Sequence, residues 1–148
     1  MNTKQQQVLN YVRSWCVQQT NGGNPEPFVI YINGGAGTVK SHLIHCIHHE
    51  ASRILQRGLE NPDDVTVLLT AYTGTVAFSI LGRTVHSSFA INSTTLPYQR
   101  LGEDSLNTLK SALQNMSILI IDEVSMISKH LLRVCKQKIS TNQETFQI

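Results

Sequence analysis

A glycine-rich octapeptide constrains the fold of this chain more than any other feature. It follows an apolar run at residues 28–32 (FVIYI) and precedes residues 43–55, whose apolar positions recur at helical spacing. Glycines let backbone N–H groups approach a phosphate chain closely, and the first turn of a following helix adds partial positive charge. The pattern therefore predicts a buried strand, a phosphate-binding loop and a helix, in that order. The loop consists of Gly34, Gly35, Ala36, Gly37, Thr38, Val39, Lys40 and Ser41.

The last two residues of this loop have the chemistry that a magnesium–nucleotide complex requires. Lys40 is expected to contact the β- and γ-phosphates, and the Ser41 hydroxyl is expected to complete a Mg²⁺ shell. One position departs from the pattern GxxxxGK[ST], because Val39 stands where the last glycine belongs. Its β-branched side chain restricts the backbone and brings methyl groups towards the phosphates. We therefore expect nucleotide binding to be weakened. The alternative to a phosphate-binding loop is a strand-to-helix turn that is glycine-rich for structural reasons alone.

A second apolar run, residues 118–121 (ILII), ends on two acidic residues, Asp122 and Glu123. A buried strand that ends in this way can deliver one carboxylate to a magnesium shell and another to an attacking water. Asp122 is thus the candidate metal ligand and Glu123 the candidate general base. The alternative is a strand that ends on acids because its end is exposed.

The remaining pattern predicts an α/β fold. Residues 65–69 (VTVLL) form another apolar run, and helical spacing recurs in residues 8–16, 106–113 and 127–139. Buried strands that alternate with helices indicate a parallel sheet with helices on both faces. Only three such strands are recognisable, whereas a mean sheet has about 5–6, so the predicted domain is incomplete.

Two polar stretches follow the run at 65–69. Residues 70–77 read TAYTGTVA and residues 81–89 read LGRTVHSSF. Small residues and hydroxyls just past a buried strand can bind backbone phosphates of a nucleic acid, and His86 and Phe89 could stack on bases. These residues alone give only a weak indication of DNA binding.

Taken together, these stretches resemble the Pif-type (RecD-like) DNA helicases of superfamily 1. The family's Walker A motif resembles GGAGTGKS, here GGAGTVKS, and its next two motifs resemble TAPTGIAA and GGxTxHSxF. Its Walker B block resembles IIDEVSMIS, which residues 120–128 match throughout. An opening glutamine motif is similar to residues 2–5 (NTKQ), so that Gln5 corresponds to the adenine-recognising glutamine. The resemblance covers roughly residues 2–130.

The resemblance implies a RecA-like domain that binds ATP and Mg²⁺ and belongs to an enzyme that translocates 5′ to 3′ on single-stranded DNA. It implies catalytic roles for Lys40 and Glu123, and metal ligation by Ser41 and Asp122. Genome maintenance and mobile elements are both known settings for the family, and a eukaryotic member would be expected in the nucleus or mitochondrion. The residues implied to line the single-stranded DNA path are Thr73, Gly74, Thr84, His86, Ser87 and Phe89.

We expect residues 1–139 to form an incomplete first motor domain and residues 140–148 to form a polar tail. The family continues into a GDxxQLPP-like motif and a second motor domain with an arginine finger, neither of which occurs in these 148 residues. One alternative is therefore a non-catalytic fragment of a truncated or decayed helicase, which holds nucleotide or single-stranded DNA without turnover. Another is a different P-loop ATPase, such as a helicase loader.

Composition adds limits rather than a function. The formal net charge is only +2, so any DNA contact must be local, and the basic cluster near the end is expected to be a solvated helix face. Three scattered cysteines, no signal-peptide pattern and no long apolar run predict a soluble intracellular protein without membrane association. Four residues after the loop share one helical face, which is either a metal site or an ordinary half-buried face: His42, His45, Cys46 and His49. The basic cluster comprises Lys129, His130, Arg133, Lys136 and Lys138.

Overall fold

The computed structural model describes residues 1–34, 40–91 and 102–140. Short 3₁₀ turns at Gln56–Gly58 and Val124–Met126 separate some of the regular elements. Helices separate each strand from the next along the chain, as is typical of an α/β fold. They are α1 (Thr3–Thr20), α2 (Lys40–Leu55), β1 (Val67–Ala71), α3 (Gly74–Ser79), β2 (Arg83–Thr84), α4 (Val85–Ser88), α5 (Glu103–Leu113), β3 (Ile118–Asp122) and α6 (Lys129–Ser140).

The three strands form a parallel sheet in the order β2-β1-β3. Strand β1 lies in the centre and is buried along its whole length, because it pairs on both sides. Its register places Val67 opposite Ile118 and Ala71 opposite Asp122. The buried Thr70 hydroxyl donates a hydrogen bond to the Ile120 carbonyl at 3.0 Å, which ties β1 to β3 through a side chain as well as the backbone.

Helices cover both faces of the sheet, as predicted. Because successive strand residues point to opposite faces, Val67 packs with α1 and α2 whereas Leu68 packs with the core formed by α5 and α6. Leu69 and Ala71 pack with α3 and the start of α2. The small α/β architecture with a parallel sheet is therefore confirmed, and it is consistent with a fragment of a RecA-like domain.

The first two helices form one layer. Asn2 caps α1: its side chain accepts a hydrogen bond from the Gln5 N–H at 2.9 Å, and the Gln5 side chain accepts one from the Asn2 N–H at 2.9 Å. This reciprocal capping box satisfies two donors at the helix start. Buried Val12 and Cys16 of α1 then pack against α2.

The predicted strand at residues 28–32 is wrong. This segment makes no sheet ladder in the described structure, and Val29 and Tyr31 are 66% and 71% exposed. A run of apolar residues becomes a strand only where a neighbouring strand pairs with its backbone, and no strand of the described residues pairs with this segment. Phe28 alone is anchored, edge-on against the rings of Tyr11 and Trp15.

One member of the basic cluster is also not the solvated side chain that we predicted. Lys138 Nζ donates hydrogen bonds to the carbonyls of Phe89 at 2.7 Å and Ala90 at 3.2 Å, just past α4. Partial burial lowers the pKa of Lys138, and the Cys135 thiol acts in the opposite direction. The other four members, on the same helix, are exposed. No helix in the described ranges is long and apolar enough to cross a membrane.

Candidate nucleotide and nucleic-acid site

The carboxyl ends of the three strands meet at one edge of the sheet, because all three strands are parallel. Helix α2 runs back along them. Near its start Ile44 packs with Leu69 and Ala71, whereas near its end Leu55 belongs to the cluster that holds Val67 and Ile118. The first turn of α2 therefore lies at the same edge of the sheet as the acidic end of β3. Ligands of open α/β sheets bind at this edge.

Lys40 is the first residue of helix α2, and its side chain reaches Gly34. Its Nζ donates a hydrogen bond to the Gly34 carbonyl at 2.7 Å, and the side chain is half-buried. Ser41, the next residue, is exposed on the first turn. The loop residues between Gly34 and Lys40 lie outside the described residues; they are Gly35, Ala36, Gly37, Thr38 and Val39.

The acidic pair sits where the sequence predicted, at the end of β3. Asp122 is the last strand residue and its Oδ1 accepts a hydrogen bond from the Glu123 N–H at 2.9 Å. Glu123 is exposed and has a left-handed backbone, with φ of 54°. Such a conformation is uncommon for a residue with a side chain, and it turns the chain sharply out of the strand.

The hydroxyl residues of the two polar stretches begin short helices at the same edge. Thr73 caps α3 by accepting a hydrogen bond from the Val76 N–H at 3.3 Å. Thr84 caps α4 in the same way for Ser87 N–H at 3.1 Å, and the two side-chain oxygens lie 3.0 Å apart. These hydroxyls therefore have a structural role in shaping the loops, whatever ligand they meet. Gly74, the first residue of α3, is exposed.

The two aromatic side chains predicted to stack on bases differ in position. His86 is half-buried and lies edge-on to the Tyr72 ring, with centroids 5.6 Å apart. Phe89 is 0% exposed and packs in the core beneath α5 and α6. The prediction that Phe89 stacks on a base is therefore wrong for this structure, because its ring is enclosed by other side chains.

Two exposed residues near this edge were missed by the sequence reasoning. Phe78 on α3 is 82% exposed, and Arg83 on β2 is also exposed. In α3, Ala77 is buried and its neighbour Phe78 is exposed, but a helix of six residues is too short for the sequence to show which apolar residue faces the sheet. Exposed aromatic rings and guanidinium groups are the side chains that single-stranded nucleic acid commonly contacts.

Gln5, the predicted adenine-recognising residue, lies in the first turn of α1. Its side-chain oxygen is engaged in the capping box with Asn2, and the side chain is half-buried. A glutamine held in this way has a fixed orientation, which a recognition role would require. Helix α1 packs on α2, whose first turn carries Lys40.

Comparison with known proteins identifies the family of this chain. The chain matches the PIF1-like helicase family over residues 1–145. It is 32% identical over 107 residues to the ATP-dependent DNA helicase PIF4 of Trypanosoma brucei brucei, covering 69% of this chain and 12% of that protein. It is 33% identical over 111 residues to the ATP-dependent DNA helicase Pif1 of Bdellovibrio bacteriovorus, covering 72% of this chain and 22% of that protein. The chain thus spans a quarter or less of these relatives, and it belongs to the PIF1-like helicase family.

Proposed function

We propose that this chain is the nucleotide-binding part of an ATP-dependent DNA helicase that moves 5′ to 3′ along single-stranded DNA. The observation that carries the proposal is the shared edge of the sheet, where the start of α2 and the acidic end of β3 come together. A lysine at a helix start supplies positive charge to phosphates, and carboxylates at a neighbouring strand end supply a base and a metal ligand. Both relatives compared above are described as ATP-dependent DNA helicases.

Each residue at this edge has a distinct proposed role. Lys40, which now bonds to the Gly34 carbonyl, would exchange that acceptor for the terminal phosphates of ATP. Glu123, exposed at the bend, would accept a proton from the attacking water. Gln5 would hold the adenine, and the loop residues from Gly34 to Val39 would surround the phosphates through their backbone N–H groups.

The residues also fit a magnesium ion. Ser41 and Asp122 offer oxygen donors, which this hard cation prefers, and few protein ligands are expected because Mg²⁺ retains water and binds substrate phosphates. When bound, the ion would neutralise charge on the phosphates. Asp122 is held in place for this role by the Glu123 N–H, which fixes one of its two oxygens.

The DNA path is proposed to run over the two short helices next to this site. The capped starts of α3 and α4 present Thr73, Gly74, Thr84 and Ser87, and helix N-termini with hydroxyls suit backbone phosphates. His86 lies beside them. We add Phe78 as the base-stacking residue, since its ring is exposed and that of Phe89 is not.

Titration calorimetry with Mg-ATP tests the nucleotide site. Lys40→Ala should weaken binding roughly tenfold or more, because a charge-assisted hydrogen bond contributes about 1.5–3 kcal/mol. Lys129→Ala is the control, since Lys129 is also a lysine at the start of a helix but lies on α6, away from the proposed site. Equal loss in the two variants, or no loss in either, would contradict a specific phosphate site at Lys40.

A second candidate is a non-catalytic protein that holds nucleotide without hydrolysing it, and the valine in the phosphate loop favours it. Val39→Gly restores the family's usual residue and should strengthen Mg-ATP binding if the methyl groups obstruct the phosphates. Phosphate release in the presence of single-stranded DNA then separates the candidates. Hydrolysis that Glu123→Gln abolishes while ATP binding persists supports the helicase, and binding without any release by the unaltered chain supports the second candidate.

A further inference from the structure

A groove between helices α1 and α2 lies outside the proposed nucleotide site. Its cavity has a volume of about 390 Å³. Helix α1 contributes only an aliphatic side chain and an arginine, whereas α2 contributes nearly all of the groups that bind metals. The lining residues are Leu9, Arg13, His42, His45, Cys46, His49 and Glu50.

Two of these side chains are already at the separation that a shared metal ion would impose. His42 and Cys46 are four residues apart, so they lie on one face of α2 in successive turns. The His42 Nε2 and Cys46 Sγ atoms are 3.6 Å apart. In a tetrahedral zinc site, with bonds of about 2.0–2.1 Å to nitrogen and 2.3 Å to sulfur, the two ligand atoms lie about 3.5 Å apart. The two atoms are hydrogen-bonded at this distance, and they are close enough for one zinc ion to replace the shared proton.

Two other candidate ligands in the groove, Glu50 and His49, are engaged with each other and with arginines. Glu50 is committed to Arg13 and Arg53, at 3.0 and 2.9 Å, and the Arg53 hydrogen bond with the charges around it lowers the pKa of Glu50. His49 Nδ1 is 3.7 Å from Glu50 Oε1 and so points to that ion pair. The remaining candidate ligands are His42, His45 and Cys46, of which His42 and Cys46 are in contact with each other.

Cys46 is also the thiol best placed to react among the three in the chain. Cys16 and Cys135 are 0% exposed, and burial raises the pKa of their thiols to about 11 and about 12. Cys46 is only half-buried and opens into the groove. Thiolate is the form that binds metals, so a metal ion that reacts with a cysteine of the folded chain will find Cys46 first.

We propose that His42 and Cys46 form a two-ligand site for zinc or a similar borderline-soft divalent cation, with water at the remaining positions. Within residues 1–34, 40–91 and 102–140, no group of three or more His, Cys, Asp or Glu side chains is assembled for a metal, so the site is open rather than closed. Binding transfers the Cys46 thiol proton to solvent and leaves the imidazole neutral. The cross-link spans the first two turns of α2 and thereby stabilises the helix that begins at Lys40.

Cobalt absorption spectroscopy on the reduced, metal-free chain tests this site without any enzymatic activity. Titration with Co²⁺ should produce a thiolate-to-cobalt charge-transfer band that saturates at one ion per chain, and Zn²⁺ should displace it. Cys46→Ser should abolish the band. His42→Ala should weaken Zn²⁺ binding by roughly tenfold or more, measured by competition with Co²⁺. Loss of a residue that binds the metal directly should lower the affinity at least as much as loss of a residue that only supports a ligand.

Two controls make the result decisive. His49→Ala changes a histidine on the same face of α2, and Cys135→Ala removes a buried thiol; neither should affect the band. Circular dichroism of each variant confirms folding independently of metal. Absence of a band in the unaltered chain, or loss of the band in His49→Ala with retention in His42→Ala, would overturn the proposal.

Discussion

The chain contains a matched pair of phenylalanines whose replacement should have opposite consequences. Phe89 is 0% exposed within the core, whereas Phe78 is 82% exposed on α3. Removing a fully buried aromatic ring costs about 3–5 kcal/mol, through lost burial and the cavity that remains. Removing an exposed ring usually changes the free energy of unfolding by no more than about 0.5 kcal/mol. Phe89→Ala should therefore consume much of the roughly 5–15 kcal/mol that stabilises an ordinary domain, and Phe78→Ala should consume almost none.

Urea unfolding followed by the fluorescence of Trp15, the single tryptophan, measures both effects. With a slope of about 1–3 kcal/mol/M, Phe89→Ala should lower the unfolding midpoint by about 1 M or more, and Phe78→Ala should leave it in place. If the alanine variant does not fold, Phe89→Leu, which fills most of the space, should give a smaller but measurable loss of about 1 kcal/mol. Equal midpoints for the Phe78 and Phe89 variants would refute the assignment of Phe89 to the core. Binding of fluorescent single-stranded DNA should change in the opposite order, with Phe78→Ala the weaker binder at unchanged stability.

Three further predictions concern the local structure. Asn2→Ala removes the cap of α1 and should lower the free energy of unfolding by about 1 kcal/mol, measured by urea denaturation, whereas Asn2→Ser should retain most of it. Burial and neighbouring histidine charges lower the pKa of His48 below 6.5, so the unfolded chain takes up the proton first; stability should fall as pH is lowered through 6.5. Thermal melts across this pH range should show a smaller fall in stability for His48→Gln. The control His130→Gln, which alters an exposed histidine of α6, should show the full fall, and equal behaviour of the two variants would contradict the reasoning. Gly82→Ala places a Cβ atom 2.6 Å from the carbonyl oxygen of Leu69, a backbone atom that does not move aside easily. The substitution should lower the free energy of unfolding by about 1–3 kcal/mol, measured by urea denaturation. An unchanged midpoint would show that the backbone around Leu69 and Gly82 shifts apart easily.

Much of the fold could be predicted because its signals are local. The spacing of apolar residues located the helices, and the acidic pair after residues 118–121 located the end of β3. The run at residues 28–32 has an equally strong signal and is exposed, because pairing between strands depends on distant segments and not on apolarity alone. The short strand β2, with two residues, carries no periodicity at all.

The site was predictable to the same extent. Residue types and their order placed Lys40, Asp122 and Glu123 at ends of elements, and parallel topology then brings those ends to one edge of the sheet. The environment of a single aromatic ring could not be predicted in this way. Phe78 and Phe89 both lie in or beside short helices of six and four residues, which are too brief for an apolar face to be recognised.

The pairing of β1 also determines when the sheet can form during synthesis. Its neighbour on one side, β2, begins about a dozen residues later, but Thr70 bonds to Ile120, 50 residues further along the chain. Local contacts close first because short loops lose less entropy, so β1, α3 and β2 can associate while β3 is still absent. At a synthesis rate of 5–20 residues per second, β1 waits roughly 3–10 s for its second partner. During that interval one edge of β1, the strand that is buried along its whole length in the folded protein, is open to other nascent chains. A chaperone that covers residues 67–71 would protect the protein at its most vulnerable stage.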